Sequence, residues 1–475
     1  VPGSSAKKAF VDWQNDVQAA DIRQAVDEGF RSIEHVKRYT TTGMATDQGK
    51  TSNLHALAIA AERLGRTIPE VGLTTFRMPV TPVTFGALAG HARGELFEPV
   101  RQTPSHAWAV TRGAVFEDVG QWKRARYFPR RGEDMAAAVA RECRAVRERA
   151  GLFDASTLGK IEVAGPDAAS FLERLYVNGF AKLAPGRCRY GVMLNEAGFV
   201  IDDGVIGRLA ADRFHVTTTT GGAAAVLHHM EDYGQTEFAE LRVWLTSVTE
   251  QWAVIAVQGP LAREIVAPLI EDVDVAGLAH MTVACCRVCG HPARLFRLSF
   301  TGEAGFEINV PAGFGPEVWD AVWARGEALG MEPYGTEAMH VLRAEKGYIV
   351  VGQDTDGTMT PDDAGLGWAV GKAKRDFVGK RSLARPDMAA PNRPQLVGLK
   401  PDAFVLEGTQ IVEGGRPIGH VTSCYRSPVL GQVIAMAALA GGRARMGQSV
   451  ALQGGKRAEV CSPVFYDAEG TRLHG

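Results

Sequence analysis

The chain has 475 residues, with 52 Lys and Arg against 54 Asp and Glu, which gives a formal charge of −2. This length allows about three or four domains, and a composition of 45% apolar and 22% charged residues excludes a wholly disordered chain. The near-neutral charge argues against nucleic-acid and anionic-membrane partners. No apolar run approaches the roughly 18 residues that span a bilayer. The seven cysteines are thinly spread, which suggests reduced thiols in the cytoplasm.

Residues 1–95 are predicted to form a small helical domain. Apolar residues recur at helical spacing in three segments, near Asp21–Gly29, near Ser32–Val36 and over Leu54–Leu64. The polar, glycine-containing loop Thr40–Ser52 lies between the second and third segments. Prolines cluster up to position 104, so no long regular element is expected there, and residues 96–134 are interpreted as a linker.

Residues 135–390 mix short strands with longer helices. The predicted strands are Lys160–Val163, Gly191–Leu194, Gly198–Arg208, Trp252–Val257, Ala293–Phe300 and Glu307–Val310. After a first helix from Met135, the predicted helices are Asp167–Leu175, Gly222–Tyr233, Pro260–Leu269, Pro316–Leu329 and Thr336–Lys346. Tight turns join neighbouring strands, which favours antiparallel pairing over a doubly wound parallel sheet and indicates the α+β class.

Residues 391–475 change pattern again. Six short strands punctuated by glycine predict a closed or nearly closed C-terminal β-barrel.

No metal site is predicted. Cys286 and Cys289 have a ligand-like spacing with His291 nearby, but a structural zinc ion needs four ligands and the other cysteines form no second pair. The glycine spacings that mark dinucleotide and phosphate loops, and the G-x-S-x-G and H-E-x-x-H motifs, are missing from the sequence.

The adjacent carboxylates Asp202 and Asp203 stand inside an otherwise apolar predicted strand. Buried carboxylates are costly unless they are paired or solvated. Strand alternation places Asp202 on the same face as Arg208, which could neutralise it, and leaves Asp203 pointing from the other face into a pocket. A strand end at which both carboxylates reach water is the alternative.

Two further segments carry charged residues that suit a ligand. Glu307 follows a Thr-Gly-Glu-Ala-Gly turn, and a carboxylate fixed there can accept two parallel N–H bonds from a planar ring such as a pterin or guanine. A solvated position on an edge strand is the commoner explanation of such a residue. Arg343 lies near the end of a predicted helix, where it could simply complement the helix dipole, and the turn-rich loop Gly352–Gly367 follows as a candidate binding surface.

Together these segments resemble the glycine-cleavage T-protein (aminomethyltransferase) family of tetrahydrofolate-binding one-carbon enzymes. The resemblance covers about Ala150 to Gly475 and implies mixed antiparallel α+β folate-binding domains with a C-terminal barrel. The matching motifs, in the family's order, are Gly151–Asp154, Met193–Asp203, Thr301–Glu307, Leu342–Gly347, Thr360–Trp368, Asp376–Lys380 and Gly419–Pro428.

The N-terminal segments Phe10–Val17 and His35–Thr51 are similar to the α subunits of heterotetrameric sarcosine oxidases. This unit also resembles a bacterioferritin-associated-ferredoxin-like scaffold, but polar residues stand at its cluster positions, so we predict no iron–sulfur cluster. In those α subunits a dinucleotide-binding region comes first, so this chain, which begins at Val1 without Met, is expected to be a C-terminal half. The resemblance implies a flavin-bearing β subunit and small γ and δ subunits as partners.

The resemblance gives the site residues expected roles. A flavin on the partner would oxidise sarcosine to a methylene-iminium, which tetrahydrofolate would trap as 5,10-methylenetetrahydrofolate with release of glycine. Asp203, with Asp202 as the alternate, matches the carboxylate near the attacking amine. Glu307 would grip the pterin edge, and Arg343 would assist folate binding.

Two further expectations concern an aromatic ring and a polar loop. Phe300 stands where the family often has Tyr, so ring packing against folate is retained and a hydroxyl contact is lost. In the Thr40–Ser52 loop, the donors of Thr42, Gly43, Lys50 and Thr51 are interpreted as part of an FMN phosphate site at a subunit interface. A helix-capping loop is the alternative.

Two rival functions stay open. The first is a free-standing aminomethyltransferase or a related folate-dependent demethylase, against which the N-terminal 95 residues count. The second is a non-catalytic folate-binding module, including an RNA-maintenance branch whose signature has Cys after Lys-Gly, whereas Tyr348 follows Lys346-Gly347 here.

Overall fold

The computed structural model describes residues 8–78 and 80–474. The chain divides into two compact units, residues 1–99 and residues 100–475. Each unit has a hydrophobic core of its own.

The N-terminal unit is mainly helical, as the sequence predicts. Its core packs three helices together through Ile22, Val36 and Leu57, and the third of them ends at Gly65, whose φ of +64° only glycine adopts at low cost. The elements of this unit are β1 (Phe10–Asp12), β2 (Val17–Gln18), α1 (Ala19–Asp27), α2 (Ile33–Thr40), α3 (Asn53–Leu64), α4 (Ile68–Val71) and α5 (Phe85–Ala89).

The stretch interpreted as a linker, 96–134, holds more regular structure than its prolines suggest. It contains α6 (His106–Thr111) and an antiparallel hairpin of β3 (Val115–Val119) and β4 (Trp122–Tyr127). Apolar packing holds this segment in place, since the Trp108 ring meets the rings of Trp319 and Trp323 edge-on at 5.3 and 5.1 Å. These elements therefore belong to the larger unit.

The larger unit is built on two sheets with helices packed outside them. The order in the five-stranded sheet is β10-β6-β9-β8-β7, and in the seven-stranded sheet β12-β13-β14-β15-β11-β5-β16, where only β16 and β5 run parallel. The elements are α7 (Met135–Glu148), β5 (Gly151–Asp154), β6 (Gly159–Ala164), α8 (Ala168–Leu175), β7 (Cys188–Leu194), β8 (Val200–Ala210), β9 (Arg213–Thr218), α9 (Ala223–Gln235), β10 (Trp244–Ser247), β11 (Trp252–Gln258), α10 (Ala262–Val266), β12 (Ile270–Glu271), β13 (Thr282–Val288), β14 (His291–Arg297), β15 (Gly305–Pro311), α11 (Gly315–Ala328), β16 (Glu332–Pro333), α12 (Thr336–Glu345) and α13 (Lys380–Leu383).

Six C-terminal strands close into a barrel, in the order β17-β20-β19-β18-β21-β22. The α+β class and the closed barrel are therefore confirmed. The barrel strands are β17 (Pro394–Pro401), β18 (Gln410–Glu413), β19 (Arg416–Ser427), β20 (Gln432–Ala440), β21 (Ser449–Leu452) and β22 (Lys456–Cys461).

Strand alternation decides which side chains enter the core and which face the other sheet. On β15, Phe306, Ile308 and Val310 are fully buried in the core beneath α10 and α11. Glu307 and Asn309 project from the opposite face of the same strand. That opposite face carries the polar residues of the candidate site.

Two general properties concern the described residues as a whole. Among them, no helix is both long enough and apolar enough to cross a lipid bilayer. All seven cysteines are free thiols.

Candidate functional site

Asp203 lies on β8 and receives a hydrogen bond from the neighbouring strand. The Tyr190 hydroxyl donates to Asp203 Oδ2 at 2.6 Å, from a position on β7 directly opposite Val205. Burial raises the pKa of Asp203 to about 7, and the negative charge of Asp202 adds to this rise while the Tyr190 hydrogen bond opposes it. A carboxyl with that pKa can both accept and donate a proton near neutral pH, which suits general acid–base catalysis.

Asp202 points to the opposite face of β8, as strand alternation predicts. Its Oδ1 accepts hydrogen bonds from the backbone N–H groups of Asp203 at 2.9 Å and Thr219 at 3.2 Å. Its Oδ2 is buried without a donor among the described residues, and a Cβ on Gly222 would come within 2.4 Å of it. Burial raises the pKa of Asp202 to about 6. Asp202 therefore lies next to the turn that precedes α9 and holds that turn against β8 through the Thr219 N–H.

The expected pairing of Asp202 with Arg208 is wrong. The Arg208 guanidinium instead donates to backbone carbonyls, among them those of Leu183 at 2.7 Å and Ala210 at 3.2 Å. The long Arg208 side chain reaches these carbonyls at the far end of β8, which removes it from Asp202.

Glu307 lies on the face of the seven-stranded sheet that meets the face carrying Asp203. Its cross-strand neighbours are Ala256 and Phe296. Gly207 on β8 closely approaches Phe296, since a Cβ there would lie 2.8 Å from the ring. Asp203 and Gly207 are four residues apart on β8, with no bulge between them. Both residues therefore point to the same face of the sheet, and their Cα atoms lie roughly 13 Å apart along the strand. The carboxylates of Asp203 and Glu307 therefore line facing sides of the two sheets.

Lys160 is a buried cation on the face of the five-stranded sheet that carries Asp203, and no sequence pattern pointed to it. It pairs across the ladder with Thr217, and its Nζ donates to the carbonyls of Ser156 at 2.7 Å and Leu158 at 2.8 Å. A lysine in a strand gives no sequence signal of burial. Only the pairing of β6 with β9 places it in the site.

The charges of Lys160 and Glu307 influence each other. Burial raises the pKa of Glu307 to about 7, and the cation on Lys160 opposes that rise. Burial lowers the pKa of Lys160 to about 8, while Asp154 and Glu307 oppose the fall. The Glu307 carboxylate receives no hydrogen bond from the described residues, so its acceptor capacity is free for a ligand.

Arg343 is fully buried; its two terminal guanidinium nitrogens donate to protein acceptors, whereas its Nε has no acceptor among the described residues. It forms an ion pair with Asp354 and donates to the Ser423 hydroxyl at 2.8 Å and the Tyr348 carbonyl at 3.1 Å. These contacts join α12 to the following loop and to barrel strand β19. The structure gives Arg343 a role in holding these elements together, and its contact with folate stays a prediction.

Two aromatic pairs include tyrosines already described: Tyr348, whose carbonyl accepts from Arg343, and Tyr190, which donates to Asp203. Phe300, 37% exposed, stacks against Tyr348 with ring centroids 6.1 Å apart. Trp368, 71% exposed, stacks on Tyr190 at 6.0 Å. Trp368 is therefore one side chain away from Asp203, and its sequence signal was its place at the end of the matching motif Thr360–Trp368.

In the N-terminal unit, protein carboxylates already occupy donors of the Thr40–Ser52 loop. The Gly43 N–H donates to Asp12 Oδ2 at 2.7 Å, and Thr51 donates to Asp47 Oδ2 through its N–H at 3.1 Å and its hydroxyl at 2.6 Å. Lys50 Nζ donates to the Val80 carbonyl. Thr42 Oγ1 is buried without a partner among the described residues. These contacts match the capping-loop alternative, and a flavin phosphate here stays a prediction.

The Cys286–Cys289 pair belongs to the β13–β14 hairpin. His291 Nε2 lies 3.0 Å from Glu317 Oε2, and its ring stacks on Phe314 at 3.9 Å. Within residues 8–78 and 80–474, no group of three or more His, Cys, Asp and Glu side chains could hold a metal ion.

Three domain families match the chain. They are the GCVT N-terminal domain over residues 105–374, the sarcosine oxidase A3 domain over 6–91 and the glycine cleavage T-protein C-terminal barrel domain over 395–467. The first match covers more than half of the chain and includes Asp203, Glu307 and Lys160.

Individual relatives agree with these matches. The chain is 51% identical to the sarcosine oxidase subunit α of Corynebacterium sp. (strain P-1) over 98% of this chain and 50% of that protein, so it spans about half the length of such curated relatives. It is 31% identical to an aminomethyltransferase of Thermotoga sp. (strain RQ2) over 77% of this chain and 98% of that protein. The crystal structure of aminomethyltransferase T of the glycine cleavage system from Bartonella henselae has a TM-score of 0.69 at 28% identity, covering 78% of this chain and 99% of that one. The resemblance to sarcosine oxidase α subunits is confirmed, and the chain belongs to the glycine-cleavage T-protein (aminomethyltransferase) family.

Proposed function

We propose that this chain binds tetrahydrofolate between its two facing sheets and transfers a one-carbon unit to it from a methylene-iminium. The products would be 5,10-methylenetetrahydrofolate and glycine. The observation that carries this proposal is the pair of opposed carboxylates, Asp203 with a pKa of about 7 and Glu307 without a protein donor.

Glu307 would orient the ligand. A half-buried carboxylate with free acceptor capacity can receive two parallel N–H bonds from a planar pterin edge. The nearby Lys160 cation favours the ionised form of Glu307, which is the form that accepts both bonds. The exposed face of Phe300 would add ring packing.

Asp203 would move a proton. Tetrahydrofolate supplies two nucleophilic nitrogens, so that two carbon–nitrogen bonds form to the methylene carbon as both bonds of the iminium C=N break. The two protons lost by the folate nitrogens must reach the departing amine, which leaves as the ammonium group of glycine. Asp203 can take up and return such a proton because its pKa lies close to 7. Its negative charge would also stabilise cationic character at the methylene carbon.

The amine oxidation would occur on another subunit. The N-terminal A3 domain and the 51% identity to a sarcosine oxidase α subunit support sarcosine as the amine. As the resemblance to sarcosine oxidase α subunits implies, the proposal includes a heterotetramer with a flavin-bearing β subunit and small γ and δ subunits, and FMN at a subunit interface. The same A3 domain argues against a free-standing aminomethyltransferase, and the near-neutral pKa of Asp203 argues against a non-catalytic folate-binding module.

Titration calorimetry with tetrahydrofolate tests the binding part of this proposal. We expect saturable binding by the wild type and a loss of at least tenfold in affinity in Glu307→Ala, because a charge-assisted pair of hydrogen bonds is removed. Glu237→Ala, at an exposed position, is the matched control. Equal affinity of the Glu307 variant and the wild type would contradict the assigned orientation.

A further inference from the structure

After the last barrel strand, β22, residues 463–473 return to α12 and the seven-stranded sheet, and we call this segment the C-terminal strap. Near its start, the Tyr466 N–H donates to the Glu345 carbonyl at the end of α12, at 2.8 Å. At its other end, the Leu473 carbonyl accepts a hydrogen bond from Arg297, the last residue of β14, at 2.8 Å. The strap therefore runs from the end of α12 to the turn that joins β14 to β15.

Glu303 lies in that turn, three residues after Phe300, and is only 1% exposed. Its carboxylate accepts hydrogen bonds from three side chains, namely Arg147 at 3.0 Å, the Tyr466 hydroxyl at 3.0 Å and Arg472 at 2.8 Å. Two of these three donors belong to the strap. Because charge-assisted hydrogen bonds are strong, a buried carboxylate held by three donors fixes the turn around it.

Arg472 brings the strap's positive charge to this contact. Its Nε lies 2.9 and 2.8 Å from the two carboxylate oxygens of Glu303, and its side chain is 38% exposed. It lies beyond residue 467, where the match to the barrel domain ends. The other cation on Glu303 is the buried Arg147, which also pairs with Glu345 at 2.7 Å. Loss of Arg472 would leave Glu303 with that cation, so we expect the chain to fold with a less tightly held turn.

The strap also holds the loop that carries Tyr348, the ring on which Phe300 stacks. The Lys346 ammonium group donates to the Asp467 carbonyl at 2.6 Å and to its carboxylate at 3.3 Å. A Cβ on Gly302 would come within 2.3 Å of the Lys346 side chain, so the turn lies directly against it. The two loops that carry the stacked rings are therefore both tied to the strap.

We propose that Arg472 is a positioning residue for folate binding, which acts through Glu303 to fix the turn on which Phe300 stands. This inference rests on the proposed function, in which the exposed face of Phe300 packs against the pterin. A ring that is already fixed loses little conformational freedom when a ligand arrives, and such preorganisation favours binding. Arg472 itself touches no folate atom in this role.

Titration calorimetry with tetrahydrofolate on the whole chain tests this proposal through a double-mutant cycle of Arg472→Met and Phe300→Ala. We expect Arg472→Met to bind about fivefold more weakly than wild type, the scale of an aromatic packing contact. In the Phe300→Ala background the same change should alter the affinity by less than about twofold, because the ring that Arg472 positions is gone. Arg472→Lys keeps a cation beside Glu303 and should recover most of the affinity.

Arg174→Met is the matched control, because it breaks an ion pair with Glu240 at a side chain 40% exposed, and its folate affinity should equal that of wild type. The rate of one-carbon transfer at saturating tetrahydrofolate should stay within about twofold of wild type in Arg472→Met, since Asp203 lies on the other sheet. Should Arg472→Met not fold, Tyr466→Phe, which loses only a hydroxyl donor to Glu303, takes its place in the cycle with the same criteria.

Equal folate affinity of wild type and Arg472→Met would overturn the proposal. Equal losses in the presence and absence of the Phe300 ring would also overturn it, because the arginine would then act without that ring. A wild type that does not bind tetrahydrofolate refutes the proposed function and this inference with it. Normal folate binding by wild type with a cycle that shows no coupling refutes only the positioning role of Arg472.

Discussion

The Tyr190 hydroxyl donates a 2.6 Å hydrogen bond to the carboxylate of Asp203 from the adjacent strand. This bond favours the ionised form of Asp203 and opposes the rise in its pKa that burial causes. The charge state of Asp203 near neutral pH is therefore set by both burial and Tyr190.

Tyr190→Phe should raise the pKa of Asp203 further, because the ionised carboxylate loses its donor. A hydrogen bond to a charged group contributes about 1.5–3 kcal/mol, which corresponds to a shift of roughly one to two pKa units. The pH–rate profile of one-carbon transfer should move to higher pH by that amount. Tyr39→Phe removes a phenol–carboxylate bond to Glu28 in the other unit and is the matched control. A profile that does not move in Tyr190→Phe would contradict this role.

Asp203→Asn should stabilise the fold above pH 7. The pKa of Asp203 is raised from its ordinary value near 3.9 to about 7, so the folded state binds more protons than the unfolded state between these values. The stability contributed by the protonated group is complete below pH 4 and is lost as pH rises through 7. The amide carries no such loss and can still accept from Tyr190. Urea unfolding at pH 5 and pH 8 should show a larger gain of the variant over wild type at pH 8, because only part of this stability is lost at pH 5.

Asp202→Ala should have the opposite effect on stability. It leaves the half-buried Thr219 N–H without its acceptor, at a cost of about 1–3 kcal/mol. Thermal unfolding measures this change, with Asp212→Ala at an exposed position as control. An unchanged melting temperature would show that the turn before α9 does not depend on Asp202.

Arg343→Met should destabilise the larger unit by about 3–5 kcal/mol, because it leaves Asp354 buried without its cation. Arg343→Lys should lose less, since the charge is kept. If Arg343 acts only in joining α12 to the barrel, the folded lysine variant should bind tetrahydrofolate within about twofold of wild type. A large loss of folate affinity in a stable Arg343→Lys would instead restore the predicted folate contact.

Local periodicity was sufficient to predict much of the fold and part of the site. The two-residue repeat of a strand places Asp202 and Asp203 on opposite faces, and the structure bears this out. Helix α10 is shorter than predicted, Ala262–Val266 against Pro260–Leu269, and its last predicted turn is a 3-10 helix over Ala267–Leu269. Pro268 lacks the N–H that would continue an α-helix.

Non-local contacts could not be predicted from such patterns. Arg208 had a plausible carboxylate six residues away, yet its side chain binds the carbonyl of Leu183. Arg343 suited a helix dipole locally, but its partners are Asp354 and Ser423. Lys160 was overlooked because its burial depends on pairing with a strand more than fifty residues later. In each case the deciding contact is set by tertiary packing.

The rate of one-carbon transfer by Asp203→Asn tests the central claim most directly. The assay follows 5,10-methylenetetrahydrofolate formed from tetrahydrofolate and the iminium of glycine and formaldehyde, after subtraction of the reaction without protein. We predict that the variant binds tetrahydrofolate within about twofold of wild type and transfers at least roughly a hundredfold more slowly, the scale of a lost general acid–base group. A variant that transfers as fast as wild type would contradict the account.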